Sequence, residues 1–425
     1  MTTEKGTRPR YFAERISVES ATVWIDAHTH TLGQEEVSLD NAVGRVLAAD
    51  VAAAIDVPHF DRAAADGYAL RASETVGAGT YNPMIFQLVK PPDAAAPLAG
   101  PGIAVRVAAG APMPAGADAI VSRELAQETR DGFVEIIDAV TPADNVERRG
   151  THIRRGASIL AAGRQVGPVD IGALASTGLA RLSVVRRPRV RLVSVGHNPV
   201  IKTQESESVL PLSLIPDSDG PLLRALVTRD GGTIAGERRI ERGRAAICEA
   251  ISATADADVI LVTGGTGFGS NDEAAAALAE IGELAMYGLA LRPGGSAGIG
   301  RVGTALVLLL PGAPSSCLWA YEVLAGRAVR RLGGRDARLP HAVRSFAAAR
   351  KIVSAIGFTQ ICPVRRLGND RVEPIASFDE AGLFAATMAD GFVIISEGSE
   401  GFAQGATVEV YLLASGDVSQ DPMVG

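Results

Sequence analysis

The sequence predicts a multidomain protein that combines an α/β domain with smaller β-domains. Three observations carry this. Between residues 186 and 335, buried-strand patterns alternate with helical ones, the mark of a parallel α/β sheet. Over 80–140, and again over 340–415, short strands are split by turn residues, as in small β-domains. The 425 residues, at roughly 150 per domain, point to about three domains.

The elements follow in order. The first sixty residues read as helical. In SLDNAVGRVLAADV, Leu39, Val43, Val46 and Leu47 fall at helical spacing and Asp40 can cap the start. IDVPHFDRAAADGYAL then brings Pro58, Gly67 and two aspartates into a short loop. MIFQLV, GIAVRVAAG, DAIVSREL and GFVEIIDAV read as strands, separated by Pro-rich pieces such as PPDAAAPLAGPG. Four arginines, Arg148, Arg149, Arg154 and Arg155, crowd the next segment. Asp170 can cap a short helix through IGALAST that ends at Gly178.

From residue 186 the period changes. RVRLVSVG is a buried strand, and DSDGPLLRALVTRDGG a helix from near Asp217 to Gly231. GRAAICEAISATAD is a helix, ADVILVTGG a strand ending in glycines, and NDEAAAALAEIG a helix starting near Asn271 or Asp272. TALVLLLPGAP is a further strand, followed by one helix through SCLWAYEVLAGRAVRRLGG. RVEPIA, GFVIIS and ATVEVYLL are the strands of the last β-domain.

Composition excludes several functions. Lys+Arg 41 against Asp+Glu 48 gives a net charge of −7, which argues against a broad nucleic-acid footprint. Aromatics are 4%, too few for base-stacking platforms. Apolar runs such as Ala305 to Leu310 are far shorter than the roughly twenty residues of a membrane span. Cys248, Cys317 and Cys362 are scattered with no CxxC pair, which fits reduced thiols. With no apolar signal segment at the start, a cytoplasmic protein is expected.

Chemistry concentrates at a few places. In VILVTGGTGFGSNDEAAAAL a strand ends at Thr263, a loop with Gly264, Gly265, Gly267 and Gly269 follows, and a helix begins. Glycines let backbone approach an anion, and a helix start adds free N–H groups; the alternative is a plain glycine-rich turn. LLLPGAPSS, with Pro311, Gly312, Pro314, Ser315 and Ser316, is a second strand-to-helix loop, either structural or ligand-binding. Two such loops at strand ends of one sheet point to a shared cleft. Asp61 and Asp66, and likewise Asp217 and Asp219, either bind a metal or cap helices. The arginines at 148–155 are either a solvated face or an anion clamp. His28 and His30 lack a third ligand nearby.

The motifs GRVLAADVAAAIDVPHFDRAAADGYALRA, AAGAPMPAGADAIV, NVERRGTHIRRGASIL, PDSDGPLL, VTGGTGFGSND, LRPGGSAGIG, LLPGAPSS and ADGFVIISEGSEGFAQGATVEVYLL occur in this order. Together they resemble the molybdopterin molybdenumtransferase (MoeA) family, related to the E domain of gephyrin. The resemblance implies a helical and mixed domain over 1–56 and 145–185, an inserted β-domain over 57–144, a three-layer α/β domain similar to molybdopterin adenylyltransferase over 186–335, and a β-barrel-like domain over 340–415. It implies a homodimer that takes adenylylated molybdopterin and molybdate as substrates, with Mg2+ or another divalent metal. It also implies molybdopterin adenylyltransferase and a molybdoenzyme apoprotein as partners.

Carried across residue by residue, the resemblance makes Asp66, Asp217 and Asp272 the catalytic aspartates, with Asp217 and Asp272 on the metal. Substrate binding falls to Gly264, Gly265, Thr266, Gly267, Ser270, Arg292, Pro311, Gly312 and Ser315. Other motif positions depart. Ala109 replaces a threonine, His152 an acidic residue, His197 and Asn198 a carboxylate pair, Gly295 a lysine and Ala313 an asparagine. These losses motivate an alternative, a diverged carrier that binds the pterin without turnover, because fold and chemistry are separable.

Overall fold

The computed structural model describes residues 15–89, 98, 100–196, 217–253, 256–267, 269, 271–375 and 378–413. The chain divides into two compact units, Glu36–Val184 and Met1–Glu35 with Val185–Gly425. The expected segment 1–56 is thus shared between them.

In the larger unit, helix α1 is Val18–His28, started by the Ser17 hydroxyl accepting from the Ser20 N–H. There follow β1 (Arg189–Val195), α2 (Asp219–Arg229), β2 (Thr233–Ile240), α3 (Arg244–Ser252), β3 (Val259–Thr263) and α4 (Ala274–Ile281). Next come β4 (Glu283–Tyr287), β5 (Gly298–Val302) and β6 (Ala305–Leu310). The sheet order is β2-β1-β3-β6-β5-β4. The first four strands are parallel, as expected. The last two join by antiparallel pairing and are strands that the sequence reading did not name. The link from Val302 to Ala305 turns at Gly303 (φ +59°), far too short for the crossover of a dozen or so residues that a parallel pair needs.

Alternate strand residues face opposite ways and fill two cores. Leu192, Leu261, Leu308 and Leu310 pack with Ile25 of α1, Leu223 and Val227 of α2, and Trp319. Val193, Val262, Val307 and Leu309 pack with Ile247 and Ile251 of α3 and Leu278 of α4. This produces three layers with strands buried on both faces. The helix read through 316–334 is divided: α5 (Pro314–Ala320), a π-helical turn Tyr321–Ala325, and α6 (Gly326–Leu332).

The C-terminal strands close on themselves. Thr359–Leu367 pairs with Arg371–Pro374, that with Val343–Ala348, that with Thr407–Leu412, that with Gly391–Ile395, and the last again with Thr359–Leu367. The barrel encloses Phe346, Cys362, Val364, Val372, Val393, Ile395, Val408 and Val410, and closure leaves no open sheet edge.

In the unit 36–184, a six-stranded sheet runs Ala119–Ser122, Gly67–Leu70, Ile103–Val107, Met84–Val89, Phe133–Ile136, Ala126–Glu128. All four strands read from the sequence lie in it. The short helix is Pro168–Ser176, and Asp170 closes its start by accepting from the Gly167 N–H. The helix expected over 39–47 is absent. A 3-10 turn, Leu39–Asn41, is followed by Gly44 at φ +77°, and Val46 and Leu47 form extended bridges to Gln165 and Val184. A left-handed glycine ends any helix there, and two adjacent apolar residues are buried by extended backbone instead.

Candidate active site

Strands β3 and β6 lie side by side with Thr263 opposite Leu310, so their two loops leave the sheet together. Gly264 and Gly265 take φ +82° and +65°. A Cβ on Gly264 would lie 2.7 Å from the Val195 carbonyl oxygen, and one on Gly312 would lie 3.0 Å from Gly264 Cα. Only glycine at both positions lets the loops touch backbone to backbone. The Gly264 N–H donates to the Leu310 carbonyl (3.2 Å) and the buried Thr266 hydroxyl to the same oxygen (3.3 Å). Tyr287, from β4, points its hydroxyl at the carbonyls of Thr266 (2.6 Å) and Gly267 (2.9 Å). Burial, then the charge of Asp272, pushes that phenol up to about 12, so it stays a donor. Among the described residues, none accepts the N–H groups of Gly265, Thr266 or Gly267. That run of backbone donors suits an anion.

Three aspartates stand out here, Asp272 on the loop itself, and Asp217 and Asp219 at the start of α2. Asp272 accepts the Gly269 N–H (2.9 Å), and Arg242 stands 4.0 Å from its other oxygen. A Cβ on Gly267 would come within 2.6 Å of the same carboxylate, so the loop wraps around it. Asp217 accepts the Gly220 N–H at the start of α2 (3.0 Å) and pairs with Arg239 (3.2 Å). Asp219 is buried, accepts the Thr263 hydroxyl (2.7 Å), and has one oxygen without a partner. Burial pushes its carboxyl up to about 6; the Thr263 hydrogen bond opposes this, and the negative charge of Asp217 adds to it.

The remaining expected residues distribute as follows. Pro311 is buried beside Thr263, and Ser315 lies half-buried in the first turn of α5. Arg292 is exposed, with its guanidinium carbon 5.7 Å from the Phe358 ring centroid. Ser270, His197 and Asn198 lie outside the described residues. Asp66 belongs to the other unit. There it is exposed, accepts the Ala109 N–H (2.7 Å) and lines a cavity of about 340 Å³ with Tyr68, Arg106 and Arg123. In the arginine group, Arg149 is paired with Asp56 (2.5 Å), while Arg148, Arg154, Arg155 and His152 are exposed. A hydrogen bond from the Arg155 N–H, then one from Arg149, holds the Asp56 carboxyl below its usual range.

Among the described residues, no group of three or more His, Cys, Asp and Glu side chains converges on one metal-sized point. The donors present are carboxylate oxygens, the type that Mg2+ takes singly or in pairs alongside substrate phosphates. The orphaned oxygen of Asp219, beside the like charge of Asp217, is the feature that such a cation would relieve.

Sequence reasoning missed Arg239, Arg242, Tyr287 and Phe358. The two arginines end or follow β2, an edge strand whose charged run Glu237–Arg238–Arg239 hides the strand period. A run of charges following a glycine, beside a strand, was the available signal.

Compared with known proteins, the chain matches three family descriptions in order. Residues 16–178 match the MoeA N-terminal region (domain I and II), 193–331 a probable molybdopterin binding domain, and 346–413 the MoeA C-terminal region (domain IV). A putative molybdopterin biosynthesis protein of Methanocaldococcus jannaschii is 28% identical over 415 residues, 96% of this chain and 99% of that one. A molybdopterin molybdenumtransferase of Bacillus subtilis is 28% identical over 415 residues, 93% of this chain and 94% of that one. The crystal structure of a molybdopterin biosynthesis MoeA protein from Pyrococcus horikosii superposes with a TM-score of 0.74 at 28% identity, covering 95% of this chain and all (100%) of that one.

Proposed function

Because the chain belongs to the MoeA family, whose N-terminal, molybdopterin-binding and C-terminal regions it carries in order, we propose that it inserts molybdenum from molybdate into adenylylated molybdopterin and releases AMP. The observation that carries this reading is the pair of glycine turns, Gly264–Gly265 and Gly312, in backbone contact at the ends of adjacent parallel strands. A phosphorylated pterin fits such a floor: the N–H groups of Gly265, Thr266 and Gly267 donate to phosphate oxygens, and Thr266 and Tyr287 hold the loop in shape.

In this reading water adds across the phosphoanhydride to give AMP and molybdopterin phosphate, and the two dithiolene thiols replace one oxo group of molybdate, which leaves with their protons as water. Asp217 and Asp272 would hold a divalent cation. When bound, Mg2+ supplies charge neutralisation at the phosphoanhydride. Arg239 and Arg242 hold the two aspartates in place. Arg292 offers a cation to the anionic substrate, and Asp66 is the third catalytic carboxylate of this reading. A homodimer, with molybdopterin adenylyltransferase and a molybdoenzyme apoprotein as partners, completes the proposal.

The test is an insertion assay with adenylylated molybdopterin, molybdate and Mg2+, reading AMP release and reconstitution of a molybdoenzyme. The wild type is expected to give both, and Asp272→Asn neither. Pterin binding without turnover by the wild type would instead support the carrier reading.

A further inference from the structure

Asp66 and Arg123 are 57 positions apart in the chain, yet one sheet of the unit 36–184 brings them together. The strand Gly67–Leu70 lies between two neighbours, with Gly67 opposite Val107 on one side and Ser122 on the other. A Cβ on Gly67 would collide with the Val121 carbonyl oxygen, so only glycine lets the strands close up here. Asp66 precedes that glycine and Arg123 follows Ser122. The Arg123 N–H donates to the Asp66 carbonyl (3.3 Å), and the Ala109 N–H to the Asp66 carboxylate (2.7 Å). Both residues line the cavity of about 340 Å³, together with Tyr68 and Arg106.

Tyr68 and Arg106 are already engaged. The buried Tyr68 hydroxyl donates to Glu128 (2.8 Å), and Arg106 stands 3.3 Å from the same carboxylate oxygen. Burial, then the Glu128 hydrogen bond and charge, pushes the Tyr68 phenol up, while the charges of Arg106 and Arg123 oppose this. Arg123 differs from Arg106 in that, among the described residues, no carboxylate pairs with it. Arginine keeps its proton, so Arg123 brings a permanent positive charge to the cavity wall. Asp66 has one oxygen on Ala109 and, among the described residues, no donor on the other. A carboxylate alone repels a phosphorylated ligand. A guanidinium on the same wall offsets that repulsion. It leaves one acceptor and one fork of donors around a common space. A phosphoryl group with a neighbouring hydroxyl or water presents the matching set, anionic oxygens for the fork and an O–H for the carboxylate.

We propose that Arg123 is a substrate-binding cation that takes a phosphoryl oxygen beside Asp66. Its place in the insertion reaction rests on the preceding subsection's reading of Asp66 as a catalytic carboxylate. Its binding of a phosphoryl group does not, and is read without turnover.

The experiment measures equilibrium binding of inorganic pyrophosphate, the simplest phosphoanhydride, to the full chain in metal-free buffer at fixed ionic strength. The proteins are the wild type, Arg123→Met, Arg123→Lys and Asp66→Asn. Arg130→Met, in the exposed turn after Glu128, controls for net charge. Thermal unfolding is followed to confirm that each folds. AMP release from adenylylated molybdopterin is measured separately on the same preparations. Arg123→Met is expected to weaken pyrophosphate binding about tenfold, and Arg123→Lys by no more than about threefold. Asp66→Asn is expected to tighten it about threefold, because the repelling charge is gone. Arg130→Met is expected to bind like the wild type. In AMP release, kcat/KM of Arg123→Met should fall about a hundredfold, and Arg123→Lys should recover most of that loss. Wild-type pyrophosphate affinity in Arg123→Met, an equal loss in Arg130→Met, or no binding by the wild type overturns the assignment. A wild type that releases AMP while Arg123→Met matches it in both assays leaves the family reading standing and this inference fallen. A wild type without AMP release whose Arg123→Met variant still loses pyrophosphate affinity leaves the cation standing and the insertion activity fallen.

Discussion

Thr263 donates its hydroxyl to Asp219 over 2.7 Å, and both side chains are buried where strand β3 ends. The second oxygen of Asp219 has no partner, and Asp217 adds a like charge nearby. An ionised Asp219 is therefore a cost to the fold, which is why its carboxyl is raised to about 6.

Asp219→Asn removes that charge and keeps an oxygen for Thr263. A raised carboxyl costs nothing below the unfolded value of 3.8 and its full amount above about 6. The gain at pH 8 is roughly 3 kcal/mol for about two pKa units, less about 1 kcal/mol for amide hydrogens without acceptors. Thermal unfolding in metal-free buffer should show Asp219→Asn more stable than wild type at pH 8, with the advantage gone at pH 4. Equal melting at pH 8 would show that the buried carboxylate is already neutralised by some other group.

Gly264→Ala tests the contact between the two loops. The residue combines φ +82° with a Cβ position 2.7 Å from the Val195 carbonyl oxygen. Strain and collision together cost roughly 2–4 kcal/mol. The expected result is a lower melting temperature and loss of pterin binding. Gly303→Ala, also at positive φ but with open space around its Cβ, is expected to cost only about 1 kcal/mol and to leave binding intact. Equal effects from the two substitutions would remove the loop contact from the account.

Asp66→Asn separates charge from architecture. The carboxylate accepts the Ala109 N–H over 2.7 Å, a role that an amide oxygen also fills. Unfolding is expected to be unchanged while insertion activity falls on the order of a hundredfold, as for loss of a positioned acid–base group. Steady-state assay beside thermal melting distinguishes this from a folding defect.

How far the molecule was legible from sequence depends on what each element is made of. Strands β3 and β6 are buried along their whole length, and their apolar runs announce them. Strand β5 was hidden because Gly298 and Gly300 read as turn residues. They are glycines because a Cβ on Gly300 would collide with the Glu283 carbonyl of the neighbouring strand. Leu39 to Leu47 carries a helical spacing, but Gly44 in the left-handed region decides against the helix. The glycine loops and the aspartates were visible as residue types. That Asp219 would be buried against Thr263, and that Arg15 would reach the ring beside Arg292, are facts of packing between segments dozens to hundreds of residues apart. No local pattern encodes them.

Glu322 gives the protein an acid-sensitive lock. It lies in the π-helical turn, almost fully buried, and takes both forks of Arg229 (2.5 and 2.9 Å), with the His341 ring 3.4 Å away. His341 also contacts the Leu412 carbonyl (3.1 Å), so the cluster ties the barrel's last strand to the helices of the α/β domain. Burial by itself would raise the carboxyl. Hydrogen bonds from His341 and Arg229, and their charge, reverse this and hold it at about 2 against an ordinary 4.5. A depressed carboxylate stabilises fully above its unfolded value, and the contribution fades as pH falls from about 4.5 towards 2. For some two and a half pKa units it amounts to roughly 3 kcal/mol. Glu322→Gln is expected to lose about that much at pH 7, leaving Arg229 with Asp230 as its remaining partner (3.0 Å). The difference between variant and wild type should then shrink on acidification from pH 5 to pH 2.5. Urea unfolding across that range reads it directly. A difference that stays constant through the window would show that Glu322 does not carry the proton linkage.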